Sequence, residues 1–201
     1  MNKVLIAYNN AIGVELHDFF ESCADEAKQI CVNKGFEYTS VCPPELNEHN
    51  VIGQMENHHI CFLAGHGDAD GIYDENGNDV VSVRTTNYNF SNRGFYSVSC
   101  LCANHLCSHL ASVGLRFFVG YRDSINVRGD LEPFVTAALS GLSSFLAGEN
   151  LKTSKELMLK SYDEQISQLE SSNPMAAIEM LHNKEALVCY GDDQLNIASF
   201  M

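Results

Sequence analysis

Two residues able to do covalent chemistry follow apolar, strand-like runs: Ile60–Ala64 leads into Gly65-His66-Gly67, and Phe95–Ser99 leads into Cys100. An imidazole beside a thiol suits nucleophilic catalysis. The attacking species is the thiolate, which a histidine can hold or generate before protonating a leaving amine. Gly67 lets the chain turn tightly past the histidine, and the backbone N–H groups of Gly67 and Cys100 are candidates to face a developing oxyanion. The chemistry would be acyl transfer through a thioester that water then hydrolyses. Cys102 competes as nucleophile from two residues further on. Cys100 is preferred because it stands at the strand end after Ser99, whereas Cys102 would already be entering the next helix. Taken singly, His66 reads as a loop histidine and Cys100 as a buried thiol; their joint placement at strand ends separates them from that background.

The elements that must position them follow from hydrophobic periodicity. Lys3–Tyr8 reads as a strand, after which Ile12, Leu16, Phe19, Phe20, Cys23, Ala27, Ile30 and Cys31 recur at helical spacing until Gly35. Phe36–Val41 is a second strand, and Pro43-Pro44 start a short connection to Ile60–Ala64. A turn-rich acidic segment, Asp68–Asp79, precedes a hairpin around Val80–Val83. Phe95–Ser99 and Leu115–Tyr121 are further strands, residues 131–146 and 154–170 are helical, and Ala186–Tyr190 is a last strand. Strands alternating with helices predict an α/β fold with a mostly parallel sheet covered on both faces. Ligands of such sheets bind at the carboxyl ends of the strands. If the two strands before His66 and Cys100 are neighbours, both residues share that edge.

In this context the segments ICFLAGHGDADGIY, FYSVSCLCANHLCSHLASVGLRFFVGYRD and LVCYGDDQLNI resemble the three signature regions of caspase-like clan CD cysteine peptidases, above all the bacterial CHAT-type and gingipain-like branches. The resemblance spans roughly residues 58–123 and the last strand. It implies a three-layer α/β/α sandwich with a mostly parallel central sheet of about six strands, formed by a single caspase-like domain over residues 1–201. It further implies a cysteine endopeptidase acting on a protein substrate, with His66 as general acid/base and Cys100 as nucleophile. The Gln-Ala-Cys-x-Gly signature of caspases proper is absent, so a preference for cleavage after Asp does not carry over. In the gingipain, legumain and separase branches an acidic residue selects a basic residue before the scissile bond. Asp123, just after Phe117–Tyr121, stands where it can take that role, or else it caps the following turn or pairs with Arg122 or Arg128. Two other readings compete: a catalytically inactive caspase-like module that binds a partner protein, and a glutamine amidotransferase. Chain order argues against the second, since such enzymes place their histidine after the nucleophile.

Composition sets the outer limits. The 201 residues, 45% hydrophobic, suffice for one well-packed domain. Twelve Lys and Arg against 26 Asp and Glu give a net charge of -14, which makes nucleic acid an unfavourable partner. No apolar run approaches the roughly 20 residues that cross a bilayer, and Met1–Tyr8 lacks the marks of a signal peptide, so a cytoplasmic protein without a membrane partner is expected. Asn89-Phe90-Ser91 fits a glycosylation sequon that has no consequence there.

The eight cysteines form no disulfide framework; Cys23, Cys31, Cys42, Cys61 and Cys189 read as structural thiols. Cys102, His105, Cys107 and His109 invite a zinc reading, but helical spacing puts Cys107 on the apolar stripe and both histidines on another face. The acidic residues between Asp68 and Asp79 lack the calcium-loop pattern and read as a solvated loop, while His58 and His59 are expected to face solvent. The chemistry requires no metal or organic cofactor. With no sensor domain in view, activity should depend on an activating partner protein or a homo-oligomer. Specific activity should therefore rise with protein concentration or on adding a partner; full turnover by a dilute monomer would contradict this.

Overall fold

Four apolar runs, almost free of charge, form strands buried on both faces: β1 (Lys3–Tyr8), β3 (Ile60–Ala64), β7 (Gly94–Val98) and β8 (Phe117–Tyr121). The computed structural model describes residues 3–86 and 88–200. The two ends of the domain expected over 1–201, and position 87 within it, lie outside the described residues. The remaining elements are α1 (His17–Lys34), β2 (Glu37–Val41), α2 (Glu48–Met55), β4 (His66–Gly67), β5 (Gly71–Tyr73), β6 (Asp79–Ser82), α3 (His105–Ser112), α4 (Glu132–Leu146), α5 (Leu151–Ser172), α6 (Pro174–Ala186) and β9 (Leu187–Gly191). The main sheet runs β2-β1-β3-β7-β8-β9, with its first five strands parallel and β9 antiparallel at the edge. A small antiparallel sheet, β4-β5-β6, stands apart from it.

Strand alternation divides the core in two. Ile60, Phe62, Ala64, Tyr96 and Val98 face one layer with α1, α4, α5 and α6; Cys61, Leu63 and Phe95 face the other with α2, α3 and the small sheet. The architecture is therefore the expected three-layer α/β/α sandwich with six strands in its mostly parallel sheet. β3 and β7 are neighbours, paired in register with Ala64 opposite Val98.

Several local expectations are corrected. The first helix starts at His17 rather than near Ile12, which is 97% exposed; Leu16 before it takes a left-handed conformation with φ 62°. That conformation costs on the order of 1–3 kcal/mol, and burying Phe19 and Phe20 just inside the helix, roughly 1.5–3 kcal/mol each, offsets it. Helix α2 replaces the structureless connection after Pro43-Pro44, with the Asn47 side chain accepting from Asn50 N–H at its start. Helix α6 was hidden because Met175, Ile178 and Leu181 are exposed while Ala176, Ala177 and Met180 are buried, so apolar residues occupy both sides. The acidic segment is built rather than loose: Asp74 accepts from the Asn76 and Asn78 backbone N–H groups and from the Asn78 side chain.

His58 is the clearest reversal, because it is buried instead of solvent-facing; His59 is half-buried. The His58 ring bridges Gln54 O and Thr39 Oγ1, tying the end of α2 to β2. Burial lowers its pKa below the ordinary 6.5, with Lys3 and Arg93 adding to the effect. Stability owed to neutral His58 is thus complete above about pH 6.5 and drains away as pH falls toward the lowered folded value. Chemical denaturation followed across this range should show stability decreasing with acidification, and His58→Gln should flatten that part of the profile.

Candidate functional site

His66 and Cys100 each lie two residues past the paired positions Ala64 and Val98. The two-residue period of a strand therefore carries both side chains to the α1 side of the sheet at the same level, on strands roughly 5 Å apart. The half-buried His66 ring meets Phe20 of α1 edge-on, with centroids 5.4 Å apart, and Cys100 packs against the same core layer. Among the described residues, no hydrogen bond occupies the ring nitrogens of His66.

The small sheet holds the histidine. Asp68 Oδ1 accepts from the N–H groups of Asp70 and Gly71, and Asp68 N–H donates to Gly71 O, closing a tight turn. Burial opposes ionisation of Asp68, but bonds from Tyr73 and these backbone groups win and hold its pKa below the ordinary value. With Asp68 and Gly71 paired, antiparallel alternation makes His66 opposite Tyr73 a hydrogen-bonded pair and Gly67 opposite Ile72 a non-bonded one. Gly67 N–H consequently points away from β5. The absence of a side chain at Gly67 is required: a Cβ there would stand 2.8 Å from Cys100 O and 3.2 Å from Ser99 Cβ. The His66 and Cys100 loops are thus in direct contact, and Leu106 N–H donating to Ala69 O joins them a second time.

The cysteine sits on a sharp reversal. Leu101 takes φ 58°, left-handed and costly for a leucine. Three successive acceptors at the end of β8 and just past it hold it: Asp123 O takes Leu101 N–H, Tyr121 O takes Ala103 N–H, and Arg122 O takes Asn104 Nδ2. The reversal sends the two competing thiols to opposite sides of the sheet. Cys102 is fully buried in the α3 layer, where it donates to Ser99 O and its pKa is pushed up to about 11 by burial. Cys100 remains partly exposed, and its Sγ accepts from Ile125 N–H at 3.2 Å. Burial raises the Cys100 pKa despite that bond and despite its own backbone N–H, and the carboxylates of Glu15 and Asp123 raise it further. Burial and both carboxylates thus favour the thiol over the thiolate.

Asp123 reaches the site through its backbone; its side chain is exposed and accepts from Ser124 N–H at 2.8 Å. Sequence reasoning missed Ile125, since a backbone donor has no residue signature, and Glu15, which helical spacing assigns to a helix instead of the loop that approaches Cys100. His105 is exposed and bonded to Asp70, while His109 faces Thr85 O and Cys107 is buried. Among the described residues no group of three or more His, Cys, Asp or Glu side chains is arranged to hold a metal ion. Nor is any described helix long and apolar enough to cross a membrane.

No family model and no curated protein matches the chain. Solved structures do. The Arg-specific cysteine proteinase gingipain R superposes with a TM-score of 0.67 at 10% identity, over 96% of this chain and 47% of that one. The complex of Porphyromonas gingivalis RgpB pro- and mature domains gives 0.63 at 11% identity, over 97% and 48%. The fold is therefore the caspase-like fold of gingipain R, and the chain spans about half the length of the gingipain chains it matches.

Of the two thiols in the turn, only Cys100 should alkylate in the folded state, at a rate that keeps rising up to and beyond pH 9. Mass mapping after iodoacetamide treatment checks this, and equal labelling of Cys102 would contradict the reversal at Leu101.

Proposed function

We propose that this chain is a cysteine endopeptidase in which His66 and Cys100 form the catalytic dyad. The observation that carries the reading is their common face and level on adjacent parallel strands, with Cys100 the partly exposed member of the thiol pair. Because burial favours the protonated Cys100 sulfur, His66 acts first as general base. It takes the thiol proton as Sγ attacks the scissile carbonyl carbon, and Ile125 N–H steadies the thiolate as it forms. Gly67 N–H, directed away from β5, and Cys100 N–H receive the oxyanion. His66 then returns the proton to the departing amine, leaving a thioester, and activates the water that hydrolyses it. No cofactor enters this sequence.

A basic residue before the cleaved bond fits the electrostatics. Glu15 and Asp123 both act on the Cys100 thiol, Glu15 the more strongly, and a substrate Arg or Lys would neutralise them. Gingipain R is itself Arg-specific. On this reading Glu15 joins Asp123 as a specificity residue, and the chain belongs beside the bacterial CHAT-type and gingipain-like branches. We read residues 1–201 as one peptidase domain, cytoplasmic, with a protein substrate and control by a partner or a second copy; the RgpB pro- and mature domains offer a precedent for association.

A peptide library with mass-spectrometric readout tests the reading. Cys100→Ala and His66→Ala should each lower kcat/KM by at least about a thousandfold with the fold retained, while Cys102→Ala keeps activity within about threefold. Glu15→Gln and Asp123→Asn should each lower cleavage after Arg or Lys by about tenfold, while Cys100 alkylation is retained and somewhat faster, since each carboxylate raises the thiol pKa. Absence of any cleavage by the wild type with its partner would favour the partner-binding module, and a preference for Asp or a small apolar residue would remove both carboxylates from the pocket.

A further inference from the structure

The segment that touches the Cys100 sulfur is held from behind by helix α6. We propose that Asn183 is a positioning residue for the Cys100 nucleophile, its carboxamide fixing the 124–126 loop where Ile125 N–H meets Cys100 Sγ. The inference rests on Cys100 being the nucleophile, and it deepens that reading.

Asn183 is only 2% exposed, although its side chain is polar. Its Oδ1 accepts from Asn126 N–H at 2.9 Å, and its Nδ2 donates to Asn126 O at 2.7 Å, so one amide satisfies both backbone groups of one residue. Asn126 adjoins Ile125, whose side chain is buried and whose N–H donates to Cys100 Sγ. Neighbouring contacts reinforce the hold, with His182 Nε2 donating to Ser124 O at 3.0 Å, Arg122 Nη2 to Glu185 O, and Arg122 N–H to Ala186 O. The loop is thereby clamped between the end of α6 and the Cys100 turn, where Leu101 N–H donates to Asp123 O. Among ordinary side chains, a carboxamide offers one donor and one acceptor at this spacing; an alanine leaves both Asn126 groups without their partner, and an aspartate leaves Asn126 O without its donor. A loop released in this way lets Ile125 N–H drift from the sulfur, and a hydrogen bond to a forming thiolate weakens steeply with misalignment.

The consequence is read on the thiol itself. The charged groups that act on Cys100 are Glu15 from the loop before α1 and Asp123 from the loop after β8, and His66 of β4 lies on the same face at the same level. Those groups are unchanged in an Asn183 variant. The test measures the pH dependence of Cys100 alkylation by iodoacetamide in the full chain, mapped by mass spectrometry, for the wild type, Asn183→Ala, His182→Ala and Asn150→Ala. Asn150 caps α5 by accepting from Thr153 N–H, so its variant controls for lost stability alone. In Asn183→Ala the midpoint should move to higher pH and the rate at a fixed pH below it should fall about tenfold. His182→Ala should fall in the same direction by at least about twofold, and Asn150→Ala should match the wild type. A profile for Asn183→Ala that coincides with the wild type or with Asn150→Ala overturns the proposal. Should Asn183→Ala fail to fold, His182→Ala decides alone, its unchanged profile counting against the clamp. Because no peptide is involved, a chain that cleaves nothing would sink the peptidase reading while leaving this measurement interpretable.

Discussion

The in-register pairing of two parallel strands, with Ala64 opposite Val98, is the constraint on which the site depends. A slip of one residue in either strand would turn His66 or Cys100 to the opposite face. Such a slip would also exchange Phe62 and Ala64 for Cys61 and Leu63 across two different cores, each filled by its own helices. The energy that fixes the placement of His66 and Cys100 is therefore the ordinary burial of β3 and β7. The geometry of the proposed dyad comes from packing several residues away from the two side chains, which lie just past the ends of those strands.

What the register leaves open, the turn at Leu101 decides. Continued strand geometry would keep Cys102 on the same side as Cys100, and the left-handed residue sends it across the sheet. The conformation costs on the order of 1–3 kcal/mol. Three hydrogen bonds to Tyr121 O, Arg122 O and Asp123 O, roughly 0.5–1.5 kcal/mol each, offset it. Gly67 completes the arrangement by letting the histidine loop close onto Cys100 O. In turn the chain after β8 becomes a third wall of the site, anchored on α6 through Asn183.

Much of this could be read from residue order. Apolar runs located the strands, and the two reactive residues stood at strand ends; the adjacency of those strands, a condition of the sequence reading, comes from the β3–β7 pairing. Helix α2 escaped because few of its positions are buried, chiefly Val51 and Met55, and Gly53 interrupts its pattern. The exposed apolar residues of α6 blurred its period. His58 looked like a surface residue because nothing in a sequence announces that Gln54 O and Thr39 Oγ1 will bracket a ring. The contributions of Ile125 N–H and of Glu15 were illegible for a similar reason: one is backbone, and the other depends on a loop starting where a helix was expected.

The electrostatic setting of Cys100 determines what the dyad must do. Burial and two nearby carboxylates, in a chain of net charge -14, favour the neutral thiol, so in the proposed mechanism the imidazole creates the nucleophile rather than accompanying a standing ion pair. Reaction with a peptidyl electrophile carrying Arg before its warhead reports on this directly, because it needs both binding and proton removal. The account predicts a single adduct on Cys100 whose formation collapses in His66→Ala. An adduct on Cys102, or one on Cys100 formed equally fast without His66, would contradict it.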